Sequence, residues 1–302
     1  ASRTAEWMFQ ELSKSLDLNQ KPILKKVLKK PFSGIKKSFW LRSKSLNLFM
    51  PALDRSQSRL LHIALFAFAI ILQYCLFHTY VTREISWGFP LYHDQSAYLM
   101  DSYKMHENIL NHGFLREMKD LILHRLSPQG FMLPLEAALI FFVSGASRVS
   151  ALNLNFIHLL LFQITFFITL KKMTGHWKYA WLGGTAFYGP GGIADFRLDF
   201  AAWCLMGIYL CLVVYSNAFQ SRKWSLISAA AGLVLILTRF ISSVYLFGIL
   251  FLYLSILLIH ALINPARRKE IYDRVKNIIL SAFAMAILPA IFFWFARKAI
   301  YG

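Results

Sequence analysis

Acidic side chains are scarce in this sequence, 15 against 33 Lys and Arg, so the places where they gather are informative. The stretch Trp87 to Met105, WGFPLYHDQSAYLMDSYKM, carries His93, Asp94 and Asp101 just beyond the first long apolar run. A helix starting near Asp94 would set Asp94, Tyr98 and Asp101 on one face, at i, i+4 and i+7. A carboxylate in a dry pocket can act as a general base, taking a proton from an acceptor hydroxyl or amine as it attacks. Asp is also a preferred residue at the head of a helix, and the sequence leaves both roles open for Asp94. Asp101 faces either a substrate or water, one or two turns further on. His93 is a candidate metal ligand beside Asp94, or a proton carrier, or simply a solvated loop residue. His106, His112 and His124 lack the i, i+4 spacing of a helical metal site.

A second cluster is YGPGGIADFRLDFAAW, residues 188–203. Pro190, Gly191 and Gly192 interrupt one apolar run and Phe200 begins the next, leaving Asp195, Arg197 and Asp199 in the turn between. Asp199 suits the first turn of a helix, and Arg197 can pair with a neighbouring Asp. Charges so close to a membrane span are costly unless used or paired, which favours a site lined by this turn. Arg125 and Arg239 form a third group. Arg239 interrupts LVLILTRFISSVYLF at the end of a span, where its guanidinium could meet a lipid phosphate or snorkel to the interface. The GPGG run lacks the Lys and the strand–helix setting of a nucleotide loop.

These residues must be positioned by a strongly apolar chain. Of 302 residues 57% are hydrophobic and 16% aromatic, with a mean hydropathy of +0.48. Several apolar runs approach the roughly 20 residues needed to cross a bilayer. The expected class is an all-α polytopic membrane protein of about seven transmembrane helices, near 60–82, 151–170, 178–194, 200–217, 224–238, 241–263 and 277–296. The formal net charge of +18 is explained by loops held on the cytoplasmic side and by anionic lipid rather than by nucleic acid. Residues 1–59 read as a basic cytoplasmic interfacial arm, its KPILKKVLKKPFSGIKKSFWLRSK segment meeting anionic lipid. The three cysteines lie in apolar runs without metal spacing and read as buried small hydrophobes.

The run Phe131 to Ser144 decides the topology. It is short and carries Pro134 and Glu136. Were it to span, the loops holding Lys171, Lys172 and Lys178, then Arg222 and Lys223, then Arg267 and Arg268 would all lie outside. As a surface or re-entrant helix it puts every basic loop inside with the N-terminus. The domain at 60–302 then has a long outer first loop, 83–150, with juxtamembrane helices. Asp94, Asp101, Asp195 and Asp199 come to share the outer side, although only basic residues chose the topology.

With this order in place, the chain resembles the GT-C superfamily of membrane glycosyltransferases, in the branch of protein O-mannosyltransferases and aminoarabinose transferases. The resemblance runs over roughly Leu60 to Tyr253. It rests on an early acid in the first outer loop (Asp94 in HDQSAY), on LHRLSPQGFMLPLEAALIFFVSGAS with Arg125 and Pro128 in place of a full Lys-Pro-Pro motif, on Arg197 and Asp199 before a span, and on Arg239. It implies transfer of a sugar from a polyprenyl-phosphate donor to an acceptor on the outer face of a bacterial inner membrane. Asp94 would be the base, Asp199 a second acid holding acceptor or a divalent metal, and Arg125 and Arg239 the carrier-phosphate contacts. Asp101, Asp195 and Arg197 are further substrate-binding candidates, and His93 with Asp94 the metal candidates. Family members usually continue with more spans or a soluble domain, so the chain is expected to be either truncated or a short member. The alternative is a non-catalytic scaffold of the same fold, binding other membrane subunits.

Overall fold

The computed structural model describes residues 55–88, 93–124, 130–185, 192–263 and 265–301. Ten α-helices make up the described chain: α1 (Arg55–Tyr80), α2 (His93–His112), α3 (Phe114–His124), α4 (Met132–Ser144), α5 (Arg148–Thr174), α6 (Trp177–Thr185), α7 (Leu198–Tyr215), α8 (Arg222–Thr238), α9 (Ser242–Ile263) and α10 (Arg268–Tyr301). A π-helical turn, Val81–Ile85, extends α1, and a 3-10 turn, Pro265–Arg267, leads into α10. No strand occurs among the described residues.

Five helical stretches have the length and apolarity to cross a bilayer: Gln57–Ile85, Arg148–Thr174, Leu198–Tyr215, Ser242–Ile263 and Pro265–Phe292. The protein is thus an integral membrane protein by the length and composition of its helices. Among the described residues, five of the seven expected spans have this length and apolarity. Of the stretch 178–194 the described residues comprise α6 up to Thr185 and a turn at 192–194, and residues 186–191 lie outside the described residues. α8 covers the stretch at 224–238 but has only 17 residues. The basic arm is likewise beyond description over 1–54, and residues 55–59 already belong to α1.

The helices share two polar ends with an apolar middle. At one end Arg59 lies over the Trp177 ring, Lys172 reaches the Tyr215 carbonyl, Tyr215 packs on Trp224, and Gln220 and Arg274 both bond Glu270. This basic end gathers the starts of α1, α6, α8 and α10. At the opposite end Arg148 Nη1 donates to the carbonyls of Ile85 (2.8 Å) and Gly88 (2.5 Å), joining the start of α5 to the end of the first helix. The Phe131 N–H donates to the Leu237 carbonyl (3.1 Å) at this same end. There too the Ser150 hydroxyl donates to the Ser144 carbonyl (3.3 Å). Both termini of α4 therefore lie at one end of the bundle, as a surface or re-entrant helix requires.

Local sequence explains the boundaries. α5 opens on Ser147, whose hydroxyl accepts the Ser150 N–H, and closes on Gly175 in the left-handed conformation. In an apolar solvent, close packing and polar side chains hold helices together better than hydrophobicity does. Gln163 on α5 accordingly donates to Gln73 on α1 (2.9 Å), which donates to the Thr185 carbonyl of α6 (3.3 Å). Gly184 lets α6 settle on both partners, since a methyl there would sit 2.8 Å from the Phe66 ring. Cys204 and Cys211 are buried in α7, but Cys75 is exposed on α1, against expectation.

Candidate functional site

α2 begins at His93, one residue before Asp94, so the expected helix is present. Its buried face includes Gln95, Tyr98, Ser102, Met105 and Ile109, and packs against α4. This seats the first turn of α2 over the start of α7 and the turn between α8 and α9. A cavity of about 260 Å³ opens where these three meet. Asp94 and Tyr98 come from α2, Arg197 and Asp199 from the start of α7, and Arg239 from the end of α8. Leu198, Phe240 and Ile241 give the cavity an apolar side. Ligand pockets commonly run from roughly 300 to 1,000 Å³, so this one suits a polar headgroup better than a whole lipid.

Within the cavity the charges differ in their surroundings. Asp199, in the first turn of α7, forms an ion pair with Arg239, which follows the last residue of α8. Arg197 pairs with Asp195. Asp94 makes no ion pair among the described residues and is exposed to the cavity mouth. Tyr98 beside it is almost fully buried; burial, then the Asp94 carboxylate, push its phenol above the usual 10.0, while Arg239 and Arg197 pull the other way.

Asp195 lies beside the cavity and is held by protein partners. It is 7% exposed, is not part of the cavity lining, and accepts from Gln95 as well as from Arg197. Asn155, fully buried on α5, donates to the carbonyls of Ile193 (3.0 Å) and Asp195 (2.9 Å). The 193–197 turn is thereby fastened from two sides, and Asp195 pairs with Arg197. Asp101 is exposed and lies outside the cavity lining. Arg125 lies outside the described residues. His93 is exposed, and no three His, Cys, Asp or Glu side chains converge as ion ligands among the described residues.

Gln95 and Asn155 were not singled out from sequence. Gln95 follows Asp94 directly, and Asn155 interrupts the apolar run LNLNFIHLLLF; a buried amide in a span is the signal that would have found the second. The turn at Arg239 is braced from below by aromatic rings, Phe240 and Phe131 each packing on Phe292 with centroids 5.0 and 5.1 Å apart. No protein-family model, curated protein or solved structure matches the chain.

Proposed function

We propose that the protein is an integral-membrane glycosyltransferase of GT-C type, moving a sugar from a polyprenyl-phosphate donor to an acceptor at the cavity end of the bundle. The observation that carries this reading is the meeting of Asp94, Arg197, Asp199 and Arg239, from three separate parts of the chain, around one cavity at the polar end of a membrane bundle. The cavity borders the lipid-facing side: Ile241 lines it, and Val244 and Tyr245, one turn along α9, are among the exposed large apolar residues. A lipid-linked headgroup can enter there while its tail follows α9 in the bilayer.

In this reading Asp94 removes the proton from the acceptor hydroxyl as its oxygen attacks the sugar anomeric carbon. The bond from that carbon to the phosphate oxygen breaks, and polyprenyl phosphate leaves with its negative charge facing Arg239 and Arg197. Asp199 orients Arg239. The basic end then faces the cytoplasm and the cavity the opposite side, as the distribution of Lys and Arg favours.

A panel of polyprenyl-phosphate sugars offered to the purified full chain tests the reading. Sugar transfer or release by the wild type, lost in Asp94→Asn, supports it. No turnover with any donor opposes it and favours the non-catalytic scaffold. The mutual pairing of Asp199 with Arg239 and of Asp195 with Arg197 is the observation on that second side, because paired charges need no substrate.

A further inference from the structure

The basic end carries a feature unconnected with the cavity. Arg59 at the start of α1 lies 5.3 Å from the centre of the Trp177 ring, and Lys171 near the end of α5 lies 4.8 Å from the same centre. Two cations from two helices thus stand within about 10 Å of each other, with Lys178 next along the chain on α6. Like charges so close repel, and contact with the indole face offsets only part of that. An acid would be the usual counter-charge, yet the sequence has none between Asp54 and Glu84, between Glu136 and Asp195 or between Asp199 and Glu270. Among the described residues neither Arg59 nor Lys171 makes an ion pair. One donor of the Lys171 ammonium serves the Gly175 carbonyl (2.8 Å), which leaves two.

The surroundings suit a lipid headgroup. Trp177 is half-buried against Phe167, with ring centres 5.9 Å apart, so it sits where a spanning helix leaves the apolar layer. α1 buries only 17% of its most apolar stretch, against 56% for α5, and its first turns meet α5 and α6 through Phe66, which stacks on Phe167 with ring centres 4.4 Å apart.

We propose that Arg59 and Lys171, gathered on Trp177, bind the phosphodiester of an anionic phospholipid, which pins the start of α1 to α5 and α6. The phosphate lies between the two cations, the indole meets the headgroup–acyl boundary, and the acyl chains run down beside α1. This site is independent of any chemistry at the cavity, on the opposite end of the molecule.

The full chain in nanodiscs of phosphatidylcholine, with and without one-fifth phosphatidylglycerol, provides the test. Arg59→Gln/Lys171→Gln is compared with Arg222→Gln/Lys223→Gln, which removes equal charge from the same end. Native mass spectrometry reads retained phosphatidylglycerol, and thermal unfolding reads the stability it adds. The proposal expects the Arg59/Lys171 variant to bind phosphatidylglycerol about tenfold or more weakly and to lose the added stability, with the control near wild type. Equal losses in both variants, or none in either, would overturn it. Should the double variant misfold, Arg59→Gln alone must still weaken phosphatidylglycerol binding about fivefold, and wild-type binding by that variant would overturn the site as well.

Discussion

Arg239, which closes α8, forms an ion pair with Asp199 in the first turn of α7, so two adjacent antiparallel helices are tied at the rim of the cavity. The side chains are 40% and 56% exposed, and an ion pair in such a setting is worth at most about 1 kcal/mol. Arg239→Gln should therefore change unfolding stability by less than about 1 kcal/mol. In the proposed enzyme it should raise the KM for the lipid-linked donor, which donor titration of the variant reads directly.

Asn155 should behave in the opposite way. It touches no cavity surface, but Asn155→Leu leaves the Ile193 and Asp195 carbonyls without their donor, at a cost of about 2 kcal/mol. Denaturant or thermal unfolding in detergent should show that loss, and the loosened turn should carry Arg197 with it.

Gly130 marks where the chain enters α4 beside the end of α8. Its φ is +105°, and a methyl group there would overlap the carbonyls of Leu237 and Thr238, which are backbone and cannot swing away. Gly130→Ala should destabilise by about 3 kcal/mol and lower the yield of folded protein, readable by size-exclusion profile and melting temperature.

Tyr98 gives the site a signature at alkaline pH. Its phenol is raised above 10.0 in the folded protein, so the native state holds this proton after the unfolded state has lost it. The stability it contributes is complete below pH 10.0 and declines as pH rises from there through the folded value. Tyr98→Phe should remove that part of the decline, which parallel unfolding curves at pH 9 and above about 10.5 would reveal. Equal alkaline loss in both proteins would contradict the burial.

Much of this arrangement was legible in the sequence. Counting Lys and Arg in the loops separated a basic end from the end that holds Asp94 and Asp199, and the Phe131–Ser144 run was readable as a helix shorter than the spans. The i, i+4 relation of Asp94 and Tyr98 placed both on the cavity. What escaped notice depends on contacts distant in sequence. Asp195 and Asp199 look alike as two acids in one turn, and only the contacts of Gln95 and Asn155, from α2 and α5, show that the first is buried while the second lines the cavity.

The most direct measurement is the turnover of a polyprenyl-phosphate sugar by Asp94→Asn beside its affinity for the same donor. Asn keeps the size of the side chain and removes only the proton acceptor. The proposed role predicts donor affinity close to wild type, with turnover lower by about 10²- to 10⁴-fold. Turnover equal to that of the wild type would contradict Asp94 as the base.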